Sequence, residues 1–177
     1  MSLDNHGTEQ RTFTDPPVDE APPGSHRALR AAFSAFATGI TIITGAGPQG
    51  EPVGLTVNSF SSVSLEPPLV AWSLRSASPL LGCFVPGRRS AIHVLRAEQE
   101  ALARRFACTG TDRFATVAWR AGVDGVPVID DVLARFECVT ESMLVAGDHR
   151  LLLARVERHV SAPGAPLLFA GGEFHVL

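Results

Sequence analysis

Polar and apolar side chains alternate along residues 54–65, which predicts a β-strand with one apolar and one polar face. The apolar positions are Val57, Phe60, Val63 and Leu65, and the polar positions are Thr56, Asn58, Ser59, Ser61, Ser62 and Ser64. Pro67 and Pro68 end this strand, because proline has no N–H to donate to a central sheet. Residues 69–72 predict a second, buried strand, which brings Ser73, Arg75, Ser76 and Ser78 to its far end.

Helical spacing of apolar residues predicts a helix near each end of this region. The first begins at Ser25, an N-cap residue type, and carries Leu29, Ala32, Phe33 and Phe36 on one face, with Gly39 as its C-terminal glycine. The second covers residues 98–107, with Leu102 and Phe106 on one face and Arg104 and Arg105 pointing outward. A short helix is predicted from Ser78 and Pro79 to about residue 84.

Most of the remaining chain has the patterns of β-strands. Residues 40–44 are β-branched, and further strand patterns cover residues 91–95, 132–145, 149–160, 166–169 and 173–177. Residues 109–130 predict only loop. The patterns together indicate a mainly β protein with a few helices.

Residues 45–50 spell G-x-G-x-x-G, the spacing of a dinucleotide-binding loop. That loop must be followed by a helix whose N-terminus faces the pyrophosphate. Here Pro52 and another strand pattern follow, so we predict a hairpin between antiparallel strands and exclude a Rossmann domain.

The length of 177 residues predicts a single domain. Residues 1–24 are polar and proline-rich, and we predict a disordered or loosely packed arm, or an arm that packs across a partner subunit. The folded domain is then residues 25–177.

Charge and composition exclude several classes of function. The net charge is −3, so the composition does not indicate a basic surface for nucleic acid. The chain has no lysine, which excludes a P-loop. No apolar run is long enough to span a membrane, and no secretory leader is evident. Cys83, Cys108 and Cys138 form no C-x-x-C pair, which favours free thiols in a reducing cytoplasm.

The sequence contains no metalloprotease or hydrolase motif, and its six histidines have no ligand-like spacing, so no metal is predicted. The Ser- and Thr-rich stretch allows two interpretations. Such strands are commonly just solvent-facing, but their hydroxyl groups could also hold a flat, phosphorylated ligand.

The residues from Gly54 to Val70 decide between these interpretations, because they resemble the signature of the flavin reductase family. The matching positions are Gly54, Thr56, Val57, Asn58, Ser59, Phe60, Ser62, Val63, Ser64, Leu65, Pro67, Pro68, Leu69 and Val70. Residues 29–44, Gln99, the Gly147, Asp148 and His149 run, and the C-terminal strands also resemble this family. One position departs from it, since His93 stands where the family commonly has asparagine.

The resemblance implies a split β-barrel with Greek-key topology, working as a homodimer with flavin near the subunit interface. It also implies hydride transfer from NADH to FAD or FMN, supplying diffusible reduced flavin to a separate flavin-dependent monooxygenase. The resemblance favours NADH over NADPH, although Arg88 and Arg89 are candidates for binding a 2′-phosphate.

The same resemblance suggests roles for individual residues. Along the isoalloxazine edge or ribityl chain it places Thr56, Val57, Asn58 and Ser59, and at the phosphate end Ser73, Arg75 and Ser78. His149, positioned by Asp148, is expected on the nicotinamide side. No side chain is expected to act as an acid or base, because the two cofactors carry the hydride chemistry.

Two other functions remain open at this stage. One is a carrier or sensor of the same fold that binds flavin without turnover. The other is an oxidase-like relative acting on a substrate such as pyridoxamine phosphate, which the absence of lysine disfavours.

Overall fold

The protein, described from a computed structural model, is mainly β, with twelve strands and two α-helices in residues 26–109 and 112–176, the residues that the structure describes. The helices are α1 (His26–Ser34) and α2 (Glu100–Ala107). The strands are β1 (Thr38–Gly39), β2 (Thr41–Ala46), β3 (Pro52–Val57), β4 (Ser61–Leu65), β5 (Pro68–Arg75), β6 (Arg89–Val94), β7 (Trp119–Ala121), β8 (Pro127–Ile129), β9 (Ala134–Ala146), β10 (His149–Ser161), β11 (Leu167–Ala170) and β12 (Glu173–Val176).

Seven strands form one antiparallel sheet in the order β3-β2-β6-β9-β10-β5-β4. The sheet wraps around a single core, because Val57 of β3 shares one buried cluster with Ile92 of β6 and with Trp72 of β5. The pairings of β2 with β6 and of β5 with β10 join strands that are distant in the sequence, as a Greek-key arrangement requires. The mainly β split-barrel fold expected from the sequence is confirmed.

A smaller sheet, β1-β11-β12, and helix α2 enclose a second core at one end of the large sheet. Ile42 of β2, Leu95 and Phe106 of α2 are fully buried there. The predicted face of α2 is thus correct for Phe106, while Leu102 is only partly buried. The packing of α2 against β3 is what places the end of this helix beside the central stretch.

The hairpin predicted at residues 45–50 is confirmed, since β2 and β3 are antiparallel neighbours joined by this turn. The strands predicted on either side of Gly147 are also confirmed, as β9 and β10, and Gly147 has a positive φ of 60°. A glycine suits that turn because the left-handed conformation costs it no steric strain.

The prediction of one strand over residues 54–65 is wrong. The chain leaves β3 after Val57 and begins β4 at Ser61. The apolar residues Val57 and Phe60 are three positions apart, so they cannot both point to the same face of one continuous strand. The break lets Phe60 stack on Phe136, with ring centroids 5.7 Å apart.

Two other element boundaries differ from prediction. Helix α1 ends at Ser34, and Gly39 lies in strand β1 opposite Leu168 rather than closing the helix. The helix predicted from Ser78 is only a 3₁₀ turn, Leu81–Cys83. The proposed N-cap Ser25 and the predicted arm, residues 1–24, lie outside the described residues.

Residues 109–130 are not simply a loop, as predicted. They contain a small hairpin, β7 and β8, and a 3₁₀ turn, Val123–Gly125. The strands are three residues each, too short for an alternating pattern to stand out in the sequence.

His93 lies in the core rather than at a ligand site. Its ring is fully buried, with Nδ1 3.0 Å from the Ile42 carbonyl and Nε2 3.1 Å from the Ile129 amide. Since the amide must donate to Nε2, the proton sits on Nδ1 and is donated to the carbonyl. The uncharged imidazole therefore ties β6 to both β2 and β8. Burial lowers its pKa from 6.5 to about 4.

Candidate functional site

A large open cleft of about 840 Å³ lies between β3, the end of β5 and the C-terminal end of α2. Its volume is within the range of small-molecule binding sites. The lining residues are Leu55, Thr56, Val57, Asn58, Ser59, Ser73, Leu74, Arg75, Ala77, Ser78, Pro79, Leu80, Phe106, Ala107, Thr109, Arg113 and His149.

The structure brings together nearly all the residues singled out in the sequence. Thr56, Val57, Asn58 and Ser59 form one wall, while Ser73, Arg75, Ser78 and His149 stand on the strands and turn opposite. Asp148 does not line the cleft, and neither does Ser76, whose hydroxyl is buried without a partner.

Two hydroxyl groups of the first wall are already engaged with the protein backbone. The Thr56 hydroxyl donates to the Ala103 carbonyl of α2 at 2.6 Å. The Ser59 hydroxyl oxygen accepts the Ser73 amide proton at 2.9 Å, which ties the corner after β3 to β5. With these two hydroxyl groups engaged, Asn58 is the polar side chain of this wall that makes no hydrogen bond to the described part of the chain.

The close packing of α2 against β3 beside the cleft depends on the absence of a side chain at Gly54. A Cβ at this position would lie 2.8 Å from the Phe106 ring and 3.2 Å from the Ile43 carbonyl oxygen. Glycine therefore allows α2 to approach β3 closely enough for Phe106 to form both core and cleft lining.

Ser78 and Arg75 define the far end of the cleft, where β5 leads into a tight turn. The Ser78 hydroxyl accepts the Leu80 amide proton at 3.3 Å, and the Ser78 amide donates to the Arg75 carbonyl at 2.9 Å. These backbone N–H groups are used within the turn, so the donors left for a ligand here are the Ser78 hydroxyl and the Arg75 guanidinium, which suit an anionic group such as a phosphate.

His149 stands beside Arg75, its partner in the ladder between β10 and β5. Its Nδ1 is 2.8 Å from the carboxylate of Asp148, which leaves Nε2 as the ring nitrogen available to a ligand. The hydrogen bond from His149 lowers the pKa of Asp148 below its ordinary value. Asp148 thus positions the ring from outside the cleft.

The sequence did not predict the part of the cleft lining at and after the C-terminal end of α2. Arg113, Thr109 and Phe106 all face the cleft, and Arg113 also lines a smaller pocket behind it with Gly54 and Asp112. The segment after α2 has no periodic pattern, so no signal in the sequence pointed to Arg113. The only available hint was a basic residue close to the end of a predicted helix.

Arg88 and Arg89, the candidates for a 2′-phosphate, do not line the cleft. Arg88 donates to the Ala46 carbonyl at 2.9 Å, and Arg89 pairs with Asp124 and Glu157. Both guanidinium groups are committed elsewhere, so their role in a 2′-phosphate site is not supported.

The ionisable side chains that line the cleft are all basic although the whole chain is acidic. Two guanidinium groups and one imidazole line it, and none of its described lining residues carries a carboxylate. The cysteines contribute no reactive thiolate from the core, because burial raises the pKa of Cys83 and raises that of Cys138 to about 12. Across the described residues, no cluster of three or more His, Cys, Asp or Glu side chains could hold a metal ion.

Residues 33–177 match the family described as "Flavin reductase like domain". The chain is 45% identical over 148 residues to "FMN reductase (NADH) SmoA" of Agrobacterium fabrum, covering 84% of each protein. It is 39% identical to the reductase component of the flavin-dependent trigonelline monooxygenase of Acinetobacter baylyi, over 84% of this chain but 48% of that protein. The chain therefore spans about half the length of this second relative.

A solved structure has the same fold. The NADH:FAD oxidoreductase of Streptomyces globisporus, solved with NAD and FAD fragments, superposes with a TM-score of 0.82 and 36% identity. The alignment covers 89% of this chain and 96% of that one.

Proposed function

The chain belongs to the flavin reductase family of oxidoreductases, and on this basis we propose that its cleft brings NADH and a flavin together for hydride transfer. The observation that carries the proposal is the composition of the cleft lining: apolar side chains, hydroxyl and amide groups, two guanidinium groups and no carboxylate. These groups fit a planar ring system that ends in a phosphate. The bound nicotinamide supplies a hydride, and the flavin accepts it.

In this scheme the residues of the chain bind and orient rather than exchange protons. Backbone groups of β3 and the Asn58 side chain face the edge of the flavin ring. Arg75 and Ser78 hold the terminal phosphate. His149, held by Asp148, fixes the nicotinamide side through Nε2. Because the two substrates exchange the hydride directly, the chain needs only to align them and to exclude water from between them.

The product is reduced flavin that leaves the protein and reaches a separate flavin-dependent monooxygenase. The open shape of the cleft supports release, and one relative is itself named as the reductase component of a monooxygenase. We expect purified protein to oxidise NADH rapidly only when FMN or FAD is added. Yellow protein that retains its flavin and shows no turnover with either flavin would refute the reductase and support a flavin carrier.

We expect His149→Ala to raise the KM for NADH by about fivefold to tenfold, because one hydrogen bond to the ligand is lost. The affinity for oxidised flavin should change less than twofold. The measurement is steady-state kinetics together with a flavin binding titration. His159→Ala is the matched control, since His159 is exposed on the same strand and outside the cleft. NADH kinetics that do not change would remove His149 from the site.

We further propose that two copies of the chain associate over an apolar surface beside the cleft. Leu144 is 54% exposed and pairs in the ladder with Leu151, which in turn pairs with Ser73 of the cleft wall. The apolar surface is thus continuous with the cleft. Nearby, β4 is an edge strand that leaves Leu65 90% exposed, and exposed edges of this kind are usually covered.

Leu144→Glu should therefore shift the protein from dimer to monomer and weaken flavin binding, because the cleft loses the neighbouring surface. Light scattering on a sizing column reports the mass. Val176→Glu adds the same charge at an exposed apolar position on the other sheet and should remain dimeric. A wild-type protein that is monomeric at micromolar concentration would contradict the proposed dimer.

We propose that the protein is located in the cytoplasm. The structure contains no helix, within the residues described, that could cross a membrane. The three cysteines are free thiols, which is the usual state in a reducing compartment.

A further inference from the structure

We propose that Arg113 recognises the diphosphate of a dinucleotide ligand and so determines which nucleotides the cleft accepts. The inference rests on the proposed function, because it concerns a second anionic group in the same cleft. The shared chemistry is a diphosphate, which both NADH and FAD carry and FMN lacks.

Arg113 is anchored at the end of the cleft away from Ser59. One of its guanidinium nitrogens donates to the Gly54 carbonyl at the middle of β3, whereas the Ser59 corner is tied to Ser73 and the phosphate end. Gly54 lies three positions before Val57, the last residue of β3, which is a rise of roughly 10 Å along the strand. Arg113 is thus held at the middle of β3 and the end of α2, whereas Arg75 lies at the end of β5, so the cleft has two separately held guanidinium groups and fits more than one anionic group.

The hydrogen bonds that Arg113 makes leave it prepared for such a ligand. Its Nε and Nη2 both donate to the Cys108 carbonyl, at 2.9 and 2.6 Å, and Nη1 donates to the Gly54 carbonyl. Arginine has five N–H groups, so one N–H remains on each Nη. N–H groups on neighbouring guanidinium nitrogens are donors that phosphate oxygens accept. The side chain is already fixed, so little conformational entropy is lost on binding.

Arg113 also offsets the unfavourable electrostatic potential at the C-terminal end of helix α2. Helix α2 ends beside the cleft at Ala107, and its C-terminal carbonyls carry partial negative charge that would repel an anion. The guanidinium, bonded to the carbonyl of the C-cap residue Cys108, places a full positive charge beside this helix end. The Thr109 hydroxyl lies on the same wall as a further donor. Ala107 beside it is exposed and offers apolar surface to the attached ribose and base.

Binding titrations without turnover test this role. ADP-ribose carries the diphosphate without nicotinamide or flavin, and FMN carries the flavin without a diphosphate. We expect Arg113→Ala to weaken ADP-ribose binding about tenfold, because charge-assisted hydrogen bonds are lost, and to change FMN binding less than twofold. Arg113→Lys, which keeps the charge but cannot form the fork, should lose affinity for ADP-ribose while FMN binding is retained. Arg120→Ala is the control, since Arg120 is exposed, pairs with Asp130 and lies outside the cleft lining.

Titrations with FAD and with NAD⁺ identify the source of the diphosphate. A tenfold loss for NAD⁺ alone assigns Arg113 to the nicotinamide dinucleotide, and a loss for FAD alone assigns it to the flavin. Equal losses for FMN, FAD and NAD⁺ would overturn the proposal, because Arg113 would then only support the loop. Unchanged affinities for all ligands would overturn it as well. If wild-type protein fails to turn over, the reductase function is refuted while these titrations remain interpretable.

Discussion

Gly54→Ala is expected to lower the free energy of unfolding by about 1–3 kcal/mol, the usual cost of forcing an extra group into a packed core. The new methyl group would lie 2.8 Å from the Phe106 ring and 3.2 Å from the Ile43 carbonyl oxygen. Phe106 cannot easily withdraw, because it is fully buried and packs edge-on against Phe114 with ring centroids 5.0 Å apart. Either α2 moves away from β3, or the ring moves into the cleft.

Both responses change the cleft as well as the fold, so flavin affinity should fall together with stability. Thermal unfolding and a flavin titration on the same preparation measure the two effects. Gly82→Ala is the matched control: nothing lies within 4 Å of its added Cβ, and it sits in a 3₁₀ turn. A Gly54→Ala protein with wild-type stability and wild-type flavin affinity would show that the contact between α2 and β3 is not tight.

Acidification from pH 7 to about pH 5 is expected to remove about 2 kcal/mol of stability through His93 alone. The pKa of His93 is lowered from 6.5 to about 4 in the folded protein, chiefly by burial and further by the nearby charge of Arg135. Below pH 6.5 the unfolded chain therefore takes up the proton before the folded chain does. Stability is complete above the unfolded pKa and falls as the pH decreases toward 4.

His93→Asn separates this effect from the titration of carboxylates. An asparagine amide can donate to the Ile42 carbonyl and accept from the Ile129 amide, but it does not titrate. Urea unfolding at several pH values between 5 and 7 should show a flatter pH dependence for this variant. His159→Asn, at an exposed position, should keep the wild-type slope. Parallel slopes for wild type and His93→Asn would mean that His93 is not the group responsible.

The sequence was most informative where a repeating pattern had room to develop. Strands β9 and β10 are 13 residues long and were predicted almost completely. The small hairpin of β7 and β8 was missed because three residues cannot show alternation. The break between Val57 and Ser61 was missed for a different reason: the run of small polar residues suits a corner as well as a strand.

The candidate site shows the same limits. Residues within the signature from Gly54 to Val70, with Ser73, Arg75, Ser78 and His149, were expected near one another and do share the cleft. Arg113 could not be foreseen, because its place depends on where the chain goes after α2 and on which carbonyl groups it meets there. His93 could not be assigned either. Whether a histidine is buried and uncharged depends on partners from β2 and from the segment before Asp130, which no local pattern specifies.

Thr56 and Ser59 carry a consequence for how proteins with this signature are classified. Their hydroxyl groups are bonded to the backbone at Ala103 and Ser73, so these two positions of the motif hold neighbouring elements together rather than select a ligand. Proteins that share these two positions are therefore expected to share the shape of the cleft, irrespective of which nucleotide each one binds. Because we propose that Arg113 recognises the diphosphate, the irregular segment after α2 is the part of the chain to compare when such proteins are sorted by substrate.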